Sequence, residues 1–162
     1  MTLAYADSLS RLAATLPNDA RVIGGLARVV RADLAVRVGD PHAALRELEQ
    51  IDMNVPPAQL AAWVSPLWHA ASIRARAHMA ADEPESALRW LRHSIGSYGS
   101  PDAGNYGTYH RDMAHVLDAL GRSDEAMLHY ARFVAAWENA DAELQPQVAA
   151  AADRLRTLAG ER

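Results

Sequence analysis

Cysteine and lysine are both absent from the 162-residue chain. A chain without cysteine cannot form disulfide bonds, thiolate zinc clusters or a thiol nucleophile. A chain without lysine cannot supply the lysine that pairs with phosphates in protein kinases. Thiol chemistry, thiolate-metal chemistry and kinase-type phosphoryl transfer are therefore excluded at the outset.

Excess positive charge and long apolar runs are also missing. The formal net charge is −4, whereas nucleic acids and anionic membrane surfaces are usually met by a basic face. The most apolar stretch, residues 60–71, contains Pro66 and is far too short to span a membrane. The first residues show no basic segment followed by an apolar one, so no signal peptide is indicated. We therefore predict a cytoplasmic protein with no nucleic-acid or membrane partner.

Strand patterns are scarce, whereas helix formers are abundant. No stretch between turn residues alternates β-branched or aromatic residues with polar ones. In contrast, 34 of the 162 residues are alanine, which has the highest helix propensity. Half of the residues are hydrophobic, which suits one packed domain without disulfides or metals. The composition predicts a single all-α domain over residues 1–162.

Helix start and stop signals divide the chain into about eight helices. Asp40 followed by Pro41, and Ser65 followed by Pro66, are typical starts, and Gly121 is a typical stop. The predicted helices span 3–16, 19–38, 41–51, 66–81, 85–95, 107–120, 124–137 and 142–159.

Two connections between these helices are long. Residues 52–64 have room for an extra helical turn. Residues 96–107 contain four of the nine glycines, a composition typical of a mobile loop that could carry function.

Three segments of the chain share one spacing of turn residues and alanines, which we call the repeat frame. The turn residues Gly39, Asp82 and Gly121 each follow one alanine by seven positions and precede another by five. Small side chains at both positions let the two helices of a pair approach closely. The flanking alanines are Ala32 and Ala44, Ala75 and Ala87, and Ala114 and Ala126. Bulky residues follow in each second helix, namely Leu48 and Ile51, Leu91 and Ile95, and Tyr130 and Phe133.

This frame resembles the tetratricopeptide repeat, in which a small residue in helix A, a Gly-Asp-type turn and an early alanine in helix B recur. Equivalent alanines lie 43 and 39 residues apart, more than the roughly 34 of the standard repeat. Arg28, Ala71 and His110 replace the aromatic residue or leucine usual near the start of helix A. The resemblance implies antiparallel helix pairs stacked in a right-handed superhelix. Its units would span about 3–38, 19–51, 66–95 and 107–137, with a capping helix at 142–159.

The C-terminal third carries a narrower resemblance. The stretch from Leu120 to Leu155, which includes Ala126, Tyr130 and Trp137, is similar to a closing repeat of a bacterial group. Such repeats occur at the C-terminal end of bacterial eukaryotic-like serine/threonine kinases and of transcriptional regulators. The resemblance implies a non-catalytic, regulatory tail of a signalling protein.

The family resemblance also implies a binding groove. In tetratricopeptide arrays, helix A residues line the concave face. The matching positions are Asp33, Val36 and Arg37; His69, Ser72, Arg76 and Met79; and Thr108, Arg111, His115 and Asp118. Three of these are arginines, which bind carboxylates through paired hydrogen bonds, so an acidic or carboxylate-bearing protein segment is the implied partner. The alternative is an ordinary solvated helix face.

Catalytic and metal-binding patterns are not found in the sequence. His69 and His78 share one predicted helix and His110 and His115 another, but neither pair has the i, i+4 spacing of a zinc motif. There is no Gly-x-Ser-x-Gly nucleophile elbow. We therefore predict no catalytic residue, no metal and no cofactor.

Three functions remain open at this point. The leading hypothesis is a non-enzymatic interaction module that binds a peptide or protein segment in the groove. The alternative is a homodimer scaffold that buries the faces around 69–79 and 108–118. The third hypothesis is an enzyme that uses the 96–107 loop and nearby histidines.

Overall fold

The computed structural model describes residues 3–51, 60–98 and 103–161, with side chains left out at 60–68, 95–98 and 103–104. Eight helices lie in these ranges, and the ranges contain no strand. They are α1 (Leu3–Thr15), α2 (Ala20–Arg37), α3 (Pro41–Glu49), α4 (Leu60–Ala80), α5 (Pro84–Tyr98), α6 (Ala103–Ala119), α7 (Ser123–Ala136) and α8 (Gln145–Gly160). The predicted all-α fold is thus confirmed for the part of the chain described. Among these eight helices, none is both long and apolar enough to cross a membrane.

The helices form two compact units, Met1–Glu83 and Pro84–Arg162. In the first unit, α2 packs against α1 and α3, and α4 packs against both α2 and α3. In the second unit, α6 packs against α5 and α7, and α8 packs against α7. The continuous right-handed superhelix and the single domain over 1–162 stay predictions.

The three turns of the repeat frame share one backbone geometry. Gly39, Asp82 and Gly121 have positive φ angles of 81°, 59° and 69°. In each case the N–H of the following residue donates to the carbonyl five positions earlier, at 2.9 Å. This is the Schellman type of helix end, which requires a left-handed residue. Aspartate tolerates that conformation better than most residues, so Asp82 fills a position where glycine is usual.

The alanines of the frame are in the core. All six are at most 1% exposed, as expected for small residues at helix-packing positions. The bulky residues that follow them are also buried, namely Leu48, Ile51, Leu91, Tyr130 and Phe133; the side chain of Ile95 lies outside the described set. The frame read from the sequence therefore identifies core positions in both units.

The start of α3 follows the predicted capping pattern. The Asp40 carboxylate accepts a hydrogen bond from the Ala43 N–H at 2.8 Å, and Pro41 occupies the first turn. This satisfies one of the unpaired N–H groups at the helix start. At the other end, the Leu48 carbonyl accepts from Arg74 of α4 at 2.6 Å.

The predicted start of the fourth helix at Pro66 is wrong. The helix α4 begins at Leu60 and continues through Pro66. Residues 60–64 are leucine, alanine, tryptophan and valine, which have no strong turn tendency and extend the helix toward its N-terminus. The part of the 52–64 connection that is described is therefore helical, and 52–59 lie outside the described residues.

The prediction of a loop over 96–107 is also wrong for most of its length. The helix α5 extends to Tyr98 and α6 begins at Ala103; residues 99–102 lie outside the described ranges. A Cβ added to Gly107 would lie only 2.0 Å from Nε1 of the Trp137 indole. Glycine at this position therefore permits close packing between α6 and α7 instead of a loop.

The last helix begins at Gln145, three residues later than predicted. The difference is explained by Pro146, which fits the first turn because it has no N–H to leave unpaired. Apolar residues at steps of three and four along this helix face the core. Val148, Ala151 and Leu158 are buried, and Leu144 and Leu155 are half-buried.

Candidate functional site

In the first unit, a buried carboxylate joins three of the predicted groove residues. Asp33 of α2 is only 3% exposed. Its Oδ2 accepts from Nε of Arg37 at 2.7 Å, and its Oδ1 accepts from Nη2 of Arg76 at 2.9 Å. Burial alone would raise the pKa of Asp33, but the bonds from Arg37 and Arg76 outweigh burial and lower it. Both arginines are thus engaged by an internal carboxylate.

The other predicted groove residues of the first unit differ in exposure. Val36 and Met79 are half-buried, His69 is exposed and Ser72 is buried. Burial of Ser72 and Asp33 means that these two side chains are not part of an open surface. That Arg37, Arg76 and Arg111 line one groove stays a prediction.

In the second unit, α6, α7 and α8 enclose a cleft of about 230 Å³. Two of the predicted groove residues, Arg111 and His115, line this cleft. Thr108 is half-buried, and its hydroxyl donates to the Asn105 carbonyl at 2.9 Å. The remaining described lining residues are Tyr130, Gln147, Ala150, Ala151 and Arg154.

Asp118, the fourth predicted residue of this group, holds Arg154 in place. Nε and Nη2 of Arg154 donate to Oδ2 and Oδ1 of Asp118 at 2.7 and 2.8 Å, a bidentate pair. These bonds lower the pKa of Asp118, burial opposes them, and the Tyr130 hydroxyl adds to the lowering. The remaining terminal nitrogen of Arg154, Nη1, lies 3.6 Å from Oε1 of Glu161.

Arg111 is fixed in a similar way by its neighbour in the chain. Nε and Nη2 of Arg111 donate to Oδ1 of the buried Asp112 at 2.9 and 2.7 Å. Its Nη1 donates to Oε1 of Gln147 at the longer distance of 3.3 Å. Both guanidinium groups of the cleft are therefore oriented by buried or partly buried carboxylates, and both leave one nitrogen weakly held.

The other polar groups of the cleft are neutral at pH 7. Burial and the Asp118 carboxylate raise the pKa of Tyr130, whose hydroxyl donates to Asp118 at 3.1 Å. Burial lowers the pKa of His115, although part of this residue remains exposed. The two rings lie together with 5.8 Å between their centroids. The cleft thus contains two guanidinium cations, each paired with an aspartate, beside uncharged hydrogen-bonding groups.

A pair of histidines lies between α6 and α7. Nδ1 of His110 and Nδ1 of His129 are 2.8 Å apart, so one ring donates a hydrogen bond to the other. Tyr106 and Tyr109 pack edge-on against His110, with ring centroids 4.4 and 5.2 Å away. Sequence reasoning considered only histidines on one helix and therefore missed this pair.

The repeat frame contains a spacing from which the contact between His110 and His129 could have been predicted. His110 lies four positions before the helix A alanine of its repeat, and His129 lies three positions after the helix B alanine. In the first unit the same two positions hold Arg28 and Glu47, which form an ion pair at 3.0 Å. The frame therefore brings these two positions together in both units.

The histidines do not form part of a larger cluster of metal-binding side chains among the described residues. The described residues contain no group of three or more histidine, cysteine, aspartate or glutamate side chains placed to hold a metal ion. The His110–His129 pair supplies two nitrogen ligands, which is fewer than a structural metal site normally uses.

Mild acid is expected to destabilise the protein through the histidine pair. Burial, His129 and Arg132 lower the pKa of His110 from 6.5 to about 4. Because the unfolded chain takes up this proton at higher pH than the folded one, stability is complete above about pH 6.5 and falls as the pH approaches 4. The loss is on the order of 3 kcal/mol. Urea unfolding at a series of pH values measures it, with His110→Gln as the comparison; an equal pH dependence in both proteins would contradict this assignment.

Comparisons with known proteins add no further assignment. No protein-family model, curated protein or solved structure matches the chain. The tetratricopeptide resemblance stays a prediction that rests on the residues of the frame.

Proposed function

We propose that this protein is a non-enzymatic helical interaction module that binds a carboxylate-bearing protein segment in the cleft between α6, α7 and α8. Following the resemblance of its C-terminal third, we assign it a regulatory role in a bacterial signalling protein. The observation that carries the binding proposal is the arrangement of Arg111 and Arg154 at one cleft.

The bonding of the two arginines supports this choice. Each guanidinium is fixed on one side by short bonds to an aspartate, at 2.7–2.9 Å. On its other side, each has an Nη1 whose partner is 3.3 or 3.6 Å away. A ligand carboxylate can replace those distant partners without disturbing the short bonds. Because the side chains are already oriented, little conformational entropy is lost when a ligand binds.

The apolar part of the cleft suits a peptide. Ala150 and Ala151 belong to its lining, and their small side chains leave room for a ligand backbone or a short side chain. The phenol of Tyr130, the ring of His115 and the amide of Gln147 offer hydrogen-bonding groups beside it. The arrangement combines an apolar surface with a few oriented polar groups, as is usual for binding sites.

The replacement of Gln147 by glutamate is expected to weaken binding of an acidic peptide about tenfold. The new carboxylate would take the Arg111 Nη1 that now faces the Gln147 amide, and one charge-assisted hydrogen bond is worth about 1.5–3 kcal/mol. The probe is a fluorescein-labelled peptide that alternates glutamate and alanine and ends in a free carboxylate. Fluorescence anisotropy at low ionic strength, where surface charges are least screened, gives the dissociation constants.

Two controls accompany this measurement. Ala149→Glu adds the same charge at an exposed position of α8 outside the described cleft lining, and should bind like the natural protein. A peptide with glutamine for glutamate and an amidated end should bind at least tenfold more weakly. Equal affinity of Gln147→Glu and Ala149→Glu for the acidic peptide would exclude Arg111 as a contact. Equal affinity for both peptides would exclude carboxylate recognition.

A further inference from the structure

The outer face of α1 carries a stripe of exposed apolar side chains. Tyr5, Leu12 and Leu16 are 51%, 45% and 41% exposed, and Leu9 between them is half-buried. Leu16 directly follows the last helical residue and stays close to it through a bond from its N–H to the Ala13 carbonyl. Among the described residues, most of the exposed large hydrophobic side chains lie on or next to α1. Such a concentration marks an interaction surface.

The stripe is distinct from the face that α1 packs against α2. Ala6 is the buried residue of α1, and Arg31 of α2 donates to Asp7 and Ser10 at 3.1 and 2.9 Å. At 100° per residue, the centre of the stripe is about a quarter turn from Ala6. About two fifths or more of the surface of Tyr5, Leu12 and Leu16 therefore stays outside the packing of α1 in its own unit.

The spacing of the stripe suits a second copy of the chain as its partner. Residues 5, 9, 12 and 16 are separated by steps of four, three and four, so the pattern reads the same in both directions. A two-fold axis midway along the stripe would place Tyr5 against Leu16 and Leu9 against Leu12 of the other copy. A symmetric dimer requires such a self-complementary surface, whereas an unrelated partner does not.

The electrostatics of α1 agree with this arrangement. The charged residues of the helix, Asp7 and Arg11, point away from the stripe by the same helical geometry. The residues that flank the stripe include Ser8, Ala13 and Thr15, which are small and uncharged. Two copies can therefore approach closely without placing like charges opposite each other.

We propose that two copies of this protein associate through an antiparallel pair of α1 helices, with the stripe Tyr5-Leu9-Leu12-Leu16 as the contact. A helix of 13 residues is about 20 Å long. One face of it buries less than the ~800 Å² per partner of a standard stable interface. The dimer is therefore weak, with a dissociation constant on the order of 10–100 µM.

Sedimentation velocity between about 5 and 500 µM tests the dimer over the relevant range of concentration. The natural protein should shift from monomer to dimer, and Leu12→Glu should weaken association at least tenfold. The matched control is Leu128→Glu, since Leu128 of α7 is 50% exposed and is not part of the stripe; it should dimerise normally. Thermal melts of both variants should match the natural protein because both leucines are exposed. A natural protein that remains monomeric throughout, or equal dimerisation by the two variants, would overturn the proposal.

Cysteine cross-linking tests the direction of the helices independently of stability. The chain has no cysteine of its own, so every disulfide reports an introduced pair. A mixture of Tyr5→Cys and Leu16→Cys proteins should form a mixed disulfide dimer much faster than either protein alone. Faster bridging of Tyr5→Cys with itself would indicate a parallel pair and contradict the proposed contact. Failure here would leave the cleft of the second unit unaffected as a binding site.

Discussion

Reversal of the charge at Arg76 is expected to lower the free energy of unfolding by about 4 kcal/mol. Arg76 donates to the carboxylate of Asp33, which is almost fully buried. Arg76→Glu would remove one of its two cationic partners and place a second carboxylate beside it. Removal of one partner from a buried ion pair costs about 3–5 kcal/mol. Arg37 still bonds to Asp33 in this variant, but the new glutamate adds a repulsion between like charges. Urea unfolding at neutral pH measures the loss.

Arg46→Glu is the matched control for this charge reversal. Arg46 is exposed on α3 of the same unit, and surface substitutions of this kind change stability by about 0.5 kcal/mol or less. A second comparison, Asp33→Asn with Arg76→Glu, should recover part of the lost stability since it removes the like charge. Equal free energies of unfolding for Arg76→Glu and Arg46→Glu would show that the buried charge of Asp33 does not need Arg76 for compensation.

Replacement of Ala126 by tryptophan should destabilise the second unit by about 3 kcal/mol or more. Ala126 is fully buried in α7, and α7 packs against both α6 and α8. A tryptophan there must push helices apart or displace buried neighbours, since protein interiors contain few voids of that size. Thermal unfolding followed by circular dichroism gives the change.

Ala131→Trp introduces the same side chain at an exposed position of α7 and should change the melting temperature little. Ala44→Trp tests the equivalent frame position in α3 of the first unit and should resemble Ala126→Trp. Similar melting temperatures for Ala126→Trp and Ala131→Trp would contradict the packing of the frame alanines.

Features set by neighbouring residues could be predicted from the sequence. The turns at Gly39 and Gly121, the cap at Asp40 and the buried frame alanines all follow from a few adjacent positions. Asp82 was identified as the residue in the glycine position, and it adopts the same left-handed conformation as the two glycines. Local chemistry and the repeat frame are sufficient for these features.

Features that depend on distant residues could not be predicted in the same way. The sequence placed Asp33 on an open groove, but Arg76 lies 43 residues away and closes an ion pair over it. The cleft depends on Gln147 and Arg154 of α8, a helix that the groove prediction did not use. Gly104 and Gly107 indicated a loop because clustered glycines are typical of loops. The packing of Trp137 against Gly107 depends on residues 30 positions apart and cannot be predicted from adjacent residues.

One pair of equivalent positions in the repeat frame determines which unit acid unfolds first. These positions hold Arg28 and Glu47 in the first unit, and His110 and His129 in the second. The same place in the repeat holds two opposite charges in the first unit and two neutral rings in the second. Protonation turns the rings into like charges, whereas the first unit holds an attractive ion pair at this place. We therefore expect acid to open the second unit first, so that the proposed cleft is lost while the α1 surface is still presented by a folded first unit.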